Sequence, residues 1–72
     1  MPNSVYKKID LVGTSPDSIS DAINNAIATA SQTIDNITWF EVAEVRGHAE
    51  NGKVTQYQVV LKVGFRIERK SG

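Results

Sequence analysis

Cysteine is absent from the 72 residues, so disulfides are excluded as a source of stability. The single histidine, His48, has no thiolate to join it, and a structural zinc site lacks a ligand set; no metal is expected. A charge of one sign is missing too. Eight Lys plus Arg balance eight Asp plus Glu, so the basic field on which general nucleic-acid binding depends is not there. No apolar run approaches the ~20 residues needed to cross a bilayer, and the N-terminus lacks the charged and apolar blocks of a secretory signal. These absences lead us to expect a cytoplasmic protein with neither a nucleic-acid nor a membrane partner.

Size narrows the reading further. Residues 1–72 form one domain, because independent cores usually take on the order of 100 residues. A core this small supplies roughly 3–5 kcal/mol of net stability, and natural chains of this size add disulfides, a metal or self-association. With the first two gone, a homo-oligomer is expected.

What is present is ordered β-α-β-β, an α+β protomer with a three-stranded antiparallel sheet wrapped on one amphipathic helix. Val5 to Val12 is β-prone and partly alternating, and Gly13 is expected to end this first strand. Thr14-Ser15-Pro16-Asp17 reads as a helix start, with Ser15 as cap, Pro16 at the first helical position and Asp17 at the positive end of the dipole. Ile19, Ile23, Ala26, Ile27, Ala30 and Ile34 recur at three- and four-residue spacing, which predicts one helix of about five turns with an isoleucine stripe. Two β-prone segments follow, Ile37 to Ala49 and Lys53 to Ile67. Asn51-Gly52 between them is the strongest short-range hairpin signal, since a type I′ turn needs positive φ at both central positions. Lys70-Ser71-Gly72 reads as a frayed tail.

A two-residue loop at Asn51-Gly52 fixes the register and hence the faces. Phe40 and Val42 fall with Tyr57, Val59, Leu61, Val63 and Phe65, an apolar face for the helix to cover. On the far face Trp39, Glu41, Ala43 and Val45 should meet Gly64, Lys62, Val60 and Gln58, with Arg66 one pair beyond the tryptophan. Glu41 and Lys62 are expected to form a cross-strand ion pair. Trp39 stands out: the largest apolar side chain points away from the helix, opposite a glycine, where its ring offers a flat surface for another ring. The amide of Gln58, donor and acceptor in one group, suits a heterocycle edge, although a solvated filler is the plainer reading. Six residues separate Gln58 from Gly64, so Gln58 and Trp39 lie roughly 20 Å apart along the sheet. A small ligand touching both would have to sit between chains.

No catalytic residue is identified. No serine lies in a nucleophile-elbow pattern or beside a plausible base. Gly13-Thr14-Ser15 precedes a helix but lacks the further glycines and the lysine of a phosphate loop.

Taken together, Val5-Tyr6-Lys7-Lys8, Leu11-Val12-Gly13-Thr14-Ser15, Trp39-Phe40-Glu41-Val42, Arg46-Gly47, Tyr57-Gln58-Val59 and Val63-Gly64-Phe65-Arg66 make the chain resemble the dodecins through nearly its whole length. The resemblance implies a hollow homododecamer that binds flavins in pairs between tryptophans at two-fold axes, with a glutamine on the isoalloxazine edge. Trp39 and Gln58 match those positions. It also makes Arg46 and Arg66 candidates for phosphate or interface contacts, because bacterial members tend to bind FMN and some hold coenzyme A. Archaeal members favour riboflavin or lumichrome and carry an acidic residue near His48; its absence here favours FMN, with riboflavin as the alternative. His48 is a candidate for contact with the flavin pair, its plainer reading being a solvated histidine near a hairpin end. Tyr6 completes the candidate set, although with Lys7 and Lys8 it reads more simply as an edge strand protected from aggregation by charge. The expected function is non-enzymatic flavin storage and sequestration, with photoprotection by indoles that cover the ring and supply electrons to its excited state. The alternative is a structural scaffold or protein-interaction module without flavin.

Overall fold

The computed structural model describes residues 4–67; the tail expected at residues 70–72 lies outside them. Strand β1 (Val5–Ser15) leads to helix α1 (Ile19–Ala30), and β2 (Ile37–Glu50) and β3 (Lys53–Ile67) complete a three-stranded antiparallel sheet in the order β1-β3-β2. The expected β-α-β-β order and the hairpin are both present. Asn51 and Gly52 have φ of 52° and 78°, the positive values that a type I′ turn requires.

The first strand does not stop at Gly13. It continues to Ser15, and Gly13 owes its place to the helix above it: a Cβ there would overlap the Ala22 carbonyl oxygen and come within 2.9 Å of the Ala26 Cβ. The expected helix start is also corrected. Ser15 ends the strand, and its Oγ accepts from the Asp17 and Ser18 N–H groups at 2.9 and 3.4 Å while donating to Asp21 Oδ2 at 2.7 Å. The cap is Ser18, whose Oγ accepts from the Asp21 N–H at 2.9 Å, and a helix of 12 residues replaces the expected five turns. Alanines bury against the sheet in place of the isoleucine stripe. Ala22, Ala26 and Ala30 are buried, whereas Ile23 and Ile27 pack only at the core's margin. Helix and strand approach closely at Gly13, and small side chains are what such an approach admits.

The helix covers β1 and β3 and scarcely touches β2. Its core partners are therefore Val59, Leu61 and Val63 of the central strand. Phe40 and Val42, expected beneath the helix, lie on the correct face yet remain 45% and 43% exposed. The hairpin also runs beyond the third strand, since β1 ends where Ser15 meets Tyr57. Its outer part is a bare two-stranded ribbon, which is marginal in water by itself. The chain is accordingly drawn out, about 60 × 20 × 14 Å, with a radius of gyration of 15.3 Å where a compact domain of this length would have about 11 Å.

Candidate functional site

From Trp39 to Val42 the expected register holds: Trp39 faces Gly64, Glu41 faces Lys62 and Val42 faces Leu61. A shift between Ile37 and Trp39 sets Ile37 opposite Phe65, so Arg66 does not form the expected next pair with β2. Toward the hairpin tip the register departs as well. Shifts between Val42 and Glu44 and between His48 and Ala49 offset the pairing for five residues and then restore it. Ala43 is squeezed out as the bulge, Glu44 takes the place opposite Val60, and Arg46 rather than Val45 faces Gln58. Val45 pairs with the core residue Val59 and so moves to the helix side.

The face away from the helix thus carries two groups of candidate residues. At one end stand Trp39, Tyr6 and Arg66: Tyr6 pairs with Arg66 across β1 and β3, and its ring meets the indole edge-on, with centroids 5.1 Å apart and planes at 66°. At the other end Arg46 faces Gln58, and His48 faces Gln56. The Gln58 amide donates to Gln56 Oε1 at 3.4 Å, and Arg46 makes a loose 3.8 Å contact with Glu44 that leaves its guanidinium largely in solvent. Rows of Asp10, Lys62 and Glu41, then Val12, Val60 and Glu44, lie between the groups. One chain does not bring Trp39 and Gln58 together.

Gly64 sets the posture of the indole. A Cβ built on this glycine would collide with Cε2, Cζ2 and Cη2 of Trp39, three consecutive ring atoms at nearly equal distance from it. A single point can be equally near three consecutive atoms only from above the ring, so the six-membered ring lies face-down on the strand. Its other face is turned outward, and the residue is 38% exposed. Tyr6 rises beside this platform as a wall. Gly64→Ala should therefore lift or tip the ring. The single tryptophan makes this readable: its fluorescence emission is expected to move to longer wavelength in the variant, and an unshifted spectrum would show that the indole has room to spare.

The other side of the platform is ionic. Lys8, level with Gly64 on β1, reaches across β3 to Glu41 Oε1 at 2.6 Å, and Lys62 turns to Asp10 at 3.3 Å. The expected Glu41–Lys62 pair is thus replaced by a diagonal pair, Lys8–Glu41, and a directly opposed one, Asp10–Lys62. The cross-strand neighbours stand opposite each other as foreseen, but each finds its closer partner on β1. The hydrogen bond and charge of Lys8 hold the Glu41 carboxyl below its ordinary value of 4.5, with a smaller contribution from Lys62. Because the folded value is depressed, what this pair adds to stability is complete above pH 4.5 and fades as pH falls through the folded value. Both partners are half exposed, so the effect is small. Lys8→Met is expected to return the Glu41 titration, followed by carboxyl NMR, toward the ordinary value; an unmoved midpoint would assign the depression elsewhere.

Among the described residues, no group of three or more His, Asp or Glu comes together in a way that could hold a metal ion, and no helix is long and apolar enough to cross a membrane.

The dodecin family model matches residues 5–68. The chain belongs to the dodecin family. The dodecin of Thermus thermophilus is 52% identical over 64 residues, covering 89% of this chain and 93% of that protein. The structure of the dodecin from Streptomyces coelicolor superimposes with a TM-score of 0.89 at 48% identity, covering 97% of this chain and all of that one. The calcium dodecin of Mycobacterium tuberculosis is 38% identical over 65 residues, 89% of this chain and 90% of that protein. A dodecin thus carries both groups of candidate residues on one face of its sheet, together with a bulge at Ala43 that no local sequence signal announces. Gly64 is the partner that pattern reading undervalued: it is read as an empty place opposite the ring, whereas it is the floor on which the ring lies.

Proposed function

We propose that this dodecin binds and sequesters flavin, preferentially FMN, without turning it over. The observation that carries the reading is the outward face of an indole laid flat on Gly64 and walled by Tyr6. A planar apolar ring with one face against backbone and the other toward solvent suits a planar aromatic ligand, and little else explains its posture. Membership of a family of generally flavin-binding small proteins supports the same ligand class.

In this reading Trp39 covers one face of a flavin ring, a second flavin stacks on the other face, and the Trp39 of a second copy covers the far side of that pair. Gln58 from a neighbouring copy meets the isoalloxazine edge with its amide, since within one chain it lies roughly 20 Å from the indole. Arg46 and Arg66 serve an anionic tail such as the FMN phosphate, with coenzyme A as a further anionic ligand, and His48 lies in the row next to Arg46. A flavin bound there would supply visible absorption and an electron-accepting excited state. Trp39 in van der Waals contact would lend that state an electron and take it back, which restores both groups, and stacking between indoles would leave no ring face open to a substrate. The homododecamer is the assembly we propose. The unsupported hairpin end, the drawn-out shape and the thin core are the physical reasons for one.

The test is the visible absorption spectrum of freshly purified protein, taken together with its mass in solution. A yellow particle of about twelve chains is expected. A colourless protein that stays colourless after incubation with FMN and dialysis would overturn the reading.

A further inference from the structure

The hairpin tip carries a reactive pair of residues. Asn51 and Gly52 are both exposed, and a Cβ added at Gly52 would meet nothing within 4 Å. Asparagine followed by glycine is chemically vulnerable in water, because no side chain on the glycine hinders its nitrogen from attacking the asparagine Cγ. The N–H of Gly52 gives its proton to hydroxide as the N–Cγ bond forms. The Cγ–Nδ2 bond then breaks, and the amine takes a proton from water to leave as ammonia. A second water opens the five-membered imide at either carbonyl. One opening yields aspartate; the other yields isoaspartate, whose main chain runs through Cβ and Cγ and is longer by one atom.

The turn controls how often this happens. Asn51 has a φ of 52°, in the left-handed region, where ψ is about +30 to +60°. At such ψ the Gly52 nitrogen stands nearly opposite the Asn51 Cβ about the Cα–C bond, whereas closing the imide needs the two nearly eclipsed. The folded turn therefore keeps nucleophile and carbonyl apart, and ring closure waits for the turn to open. Opening costs least at this tip. Glu50–Lys53 and Ala49–Val54 close a ribbon that lies beyond the end of β1, next to the register shift between His48 and Ala49.

We infer that Asn51 is a site of deamidation and isomerisation, gated by opening of the hairpin tip. The gate works in one direction. Isoaspartate cannot rebuild a two-residue type I′ loop, since its extra main-chain atom offsets Glu50 from Lys53. A transient opening is thus converted into a permanent one. Asn36 supplies the comparison within the same chain: its φ of 67° is also positive, but its carbonyl accepts from the Arg66 N–H at 3.1 Å, its amide donates to the Arg66 carbonyl at 3.5 Å, and β-branched Ile37 follows it. Asn36 is expected to remain an amide. The inference depends neither on flavin nor on self-association.

The experiment is incubation of the whole protein at several mildly alkaline pH values, beside a free peptide spanning residues 48–55. Mass spectrometry of digests, with electron-transfer fragmentation to separate aspartate from isoaspartate, follows each asparagine. Conversion at Asn51 is expected to rise in proportion to hydroxide, to run more slowly in the protein than in the peptide, and to spare Asn36. Val54→Gly weakens the closing pairs of the tip and is expected to speed conversion at least about twofold. The comparison of wild-type protein with peptide stands whatever the stability of that variant. A protein rate equal to that of the peptide would show that the turn is no gate. An Asn51 that stays an amide in wild type and Val54→Gly while the peptide converts, or an Asn36 that converts as fast, would equally overturn the inference.

Discussion

Trp39→Ala will abolish flavin retention while leaving the particle's mass unchanged. Stacking of a planar heterocycle on one aromatic side chain contributes about 1–3 kcal/mol on alanine substitution, and each 1.4 kcal/mol is a factor of about ten in Kd. Each ring of the pair loses the one indole it lies on, so the expected rise in Kd is roughly fivefold to a hundredfold. Trp39→Phe keeps a flat apolar ring and is expected to retain part of the affinity. The measurement is flavin Kd by fluorescence for each variant, with solution mass as control. The result matters because the indole does little for the fold: it lies on the face away from the core and covers Gly64 without entering the cluster of Val59, Leu61 and Val63. A Trp39→Ala protein that falls apart would instead make the indole a structural element.

The second large effect is expected far from the ligand. At Gly13 the φ is not positive, so the glycine is there for room. Its missing Cβ is what lets the helix backbone at Ala22 approach the strand. Gly13→Val forces the helix off β1, because the colliding atom is a backbone carbonyl that no rotamer change can move aside. Overpacking usually costs about 1–3 kcal/mol, and against a net stability of roughly 3–5 kcal/mol that is most of what holds the domain together. A melting point lowered by roughly 10–20 °C is expected, with Gly13→Ala lower than wild type by a smaller step. Thermal unfolding followed by circular dichroism at fixed protein concentration checks both. A Gly13→Val protein that melts like wild type would mean that α1 rides higher on the sheet than its contacts indicate.

Local signals carried a large part of the fold. Asn51-Gly52 announces its turn because few other dipeptides accept positive φ twice, and counting from it places Trp39 opposite Gly64 and Glu41 opposite Lys62. That placement survives two bulges only because their offsets cancel. Between them the count fails, and Arg46 rather than Val45 comes to face Gln58. Whether an alanine at position 43 is ladder or bulge depends on twist across three strands, which residue types do not encode. The helix misreading has a different origin. Ser15 and Ser18 are both competent caps, and the choice between them follows from Ser15 being bound into the strand and to Asp21. Periodicity likewise finds a stripe but cannot rank alanine above isoleucine at its centre; the close approach at Gly13 does that.

The site divides along the same line. Residue types pointed to Trp39 as a platform and to Gln58 as a partner too distant to act in the same chain. They did not disclose that Lys8 rather than Lys62 holds Glu41, since that choice turns on side-chain reach across β3. Nor did they reveal that the helix leaves β2 half uncovered. A helix of 12 residues over a three-stranded sheet covers two strands at most, because helix diameter is about 10 Å and strands are spaced about 4.8 Å apart.

The central claim is that the outward indole face of Trp39 receives an isoalloxazine ring. Titrating apoprotein into a dilute FMN solution and following flavin emission tests it most directly. Strong quenching that saturates near one flavin per chain, and that is lost in Trp39→Ala, is the expected result. Emission that stays undiminished at micromolar protein, or quenching that persists equally without the indole, would contradict it.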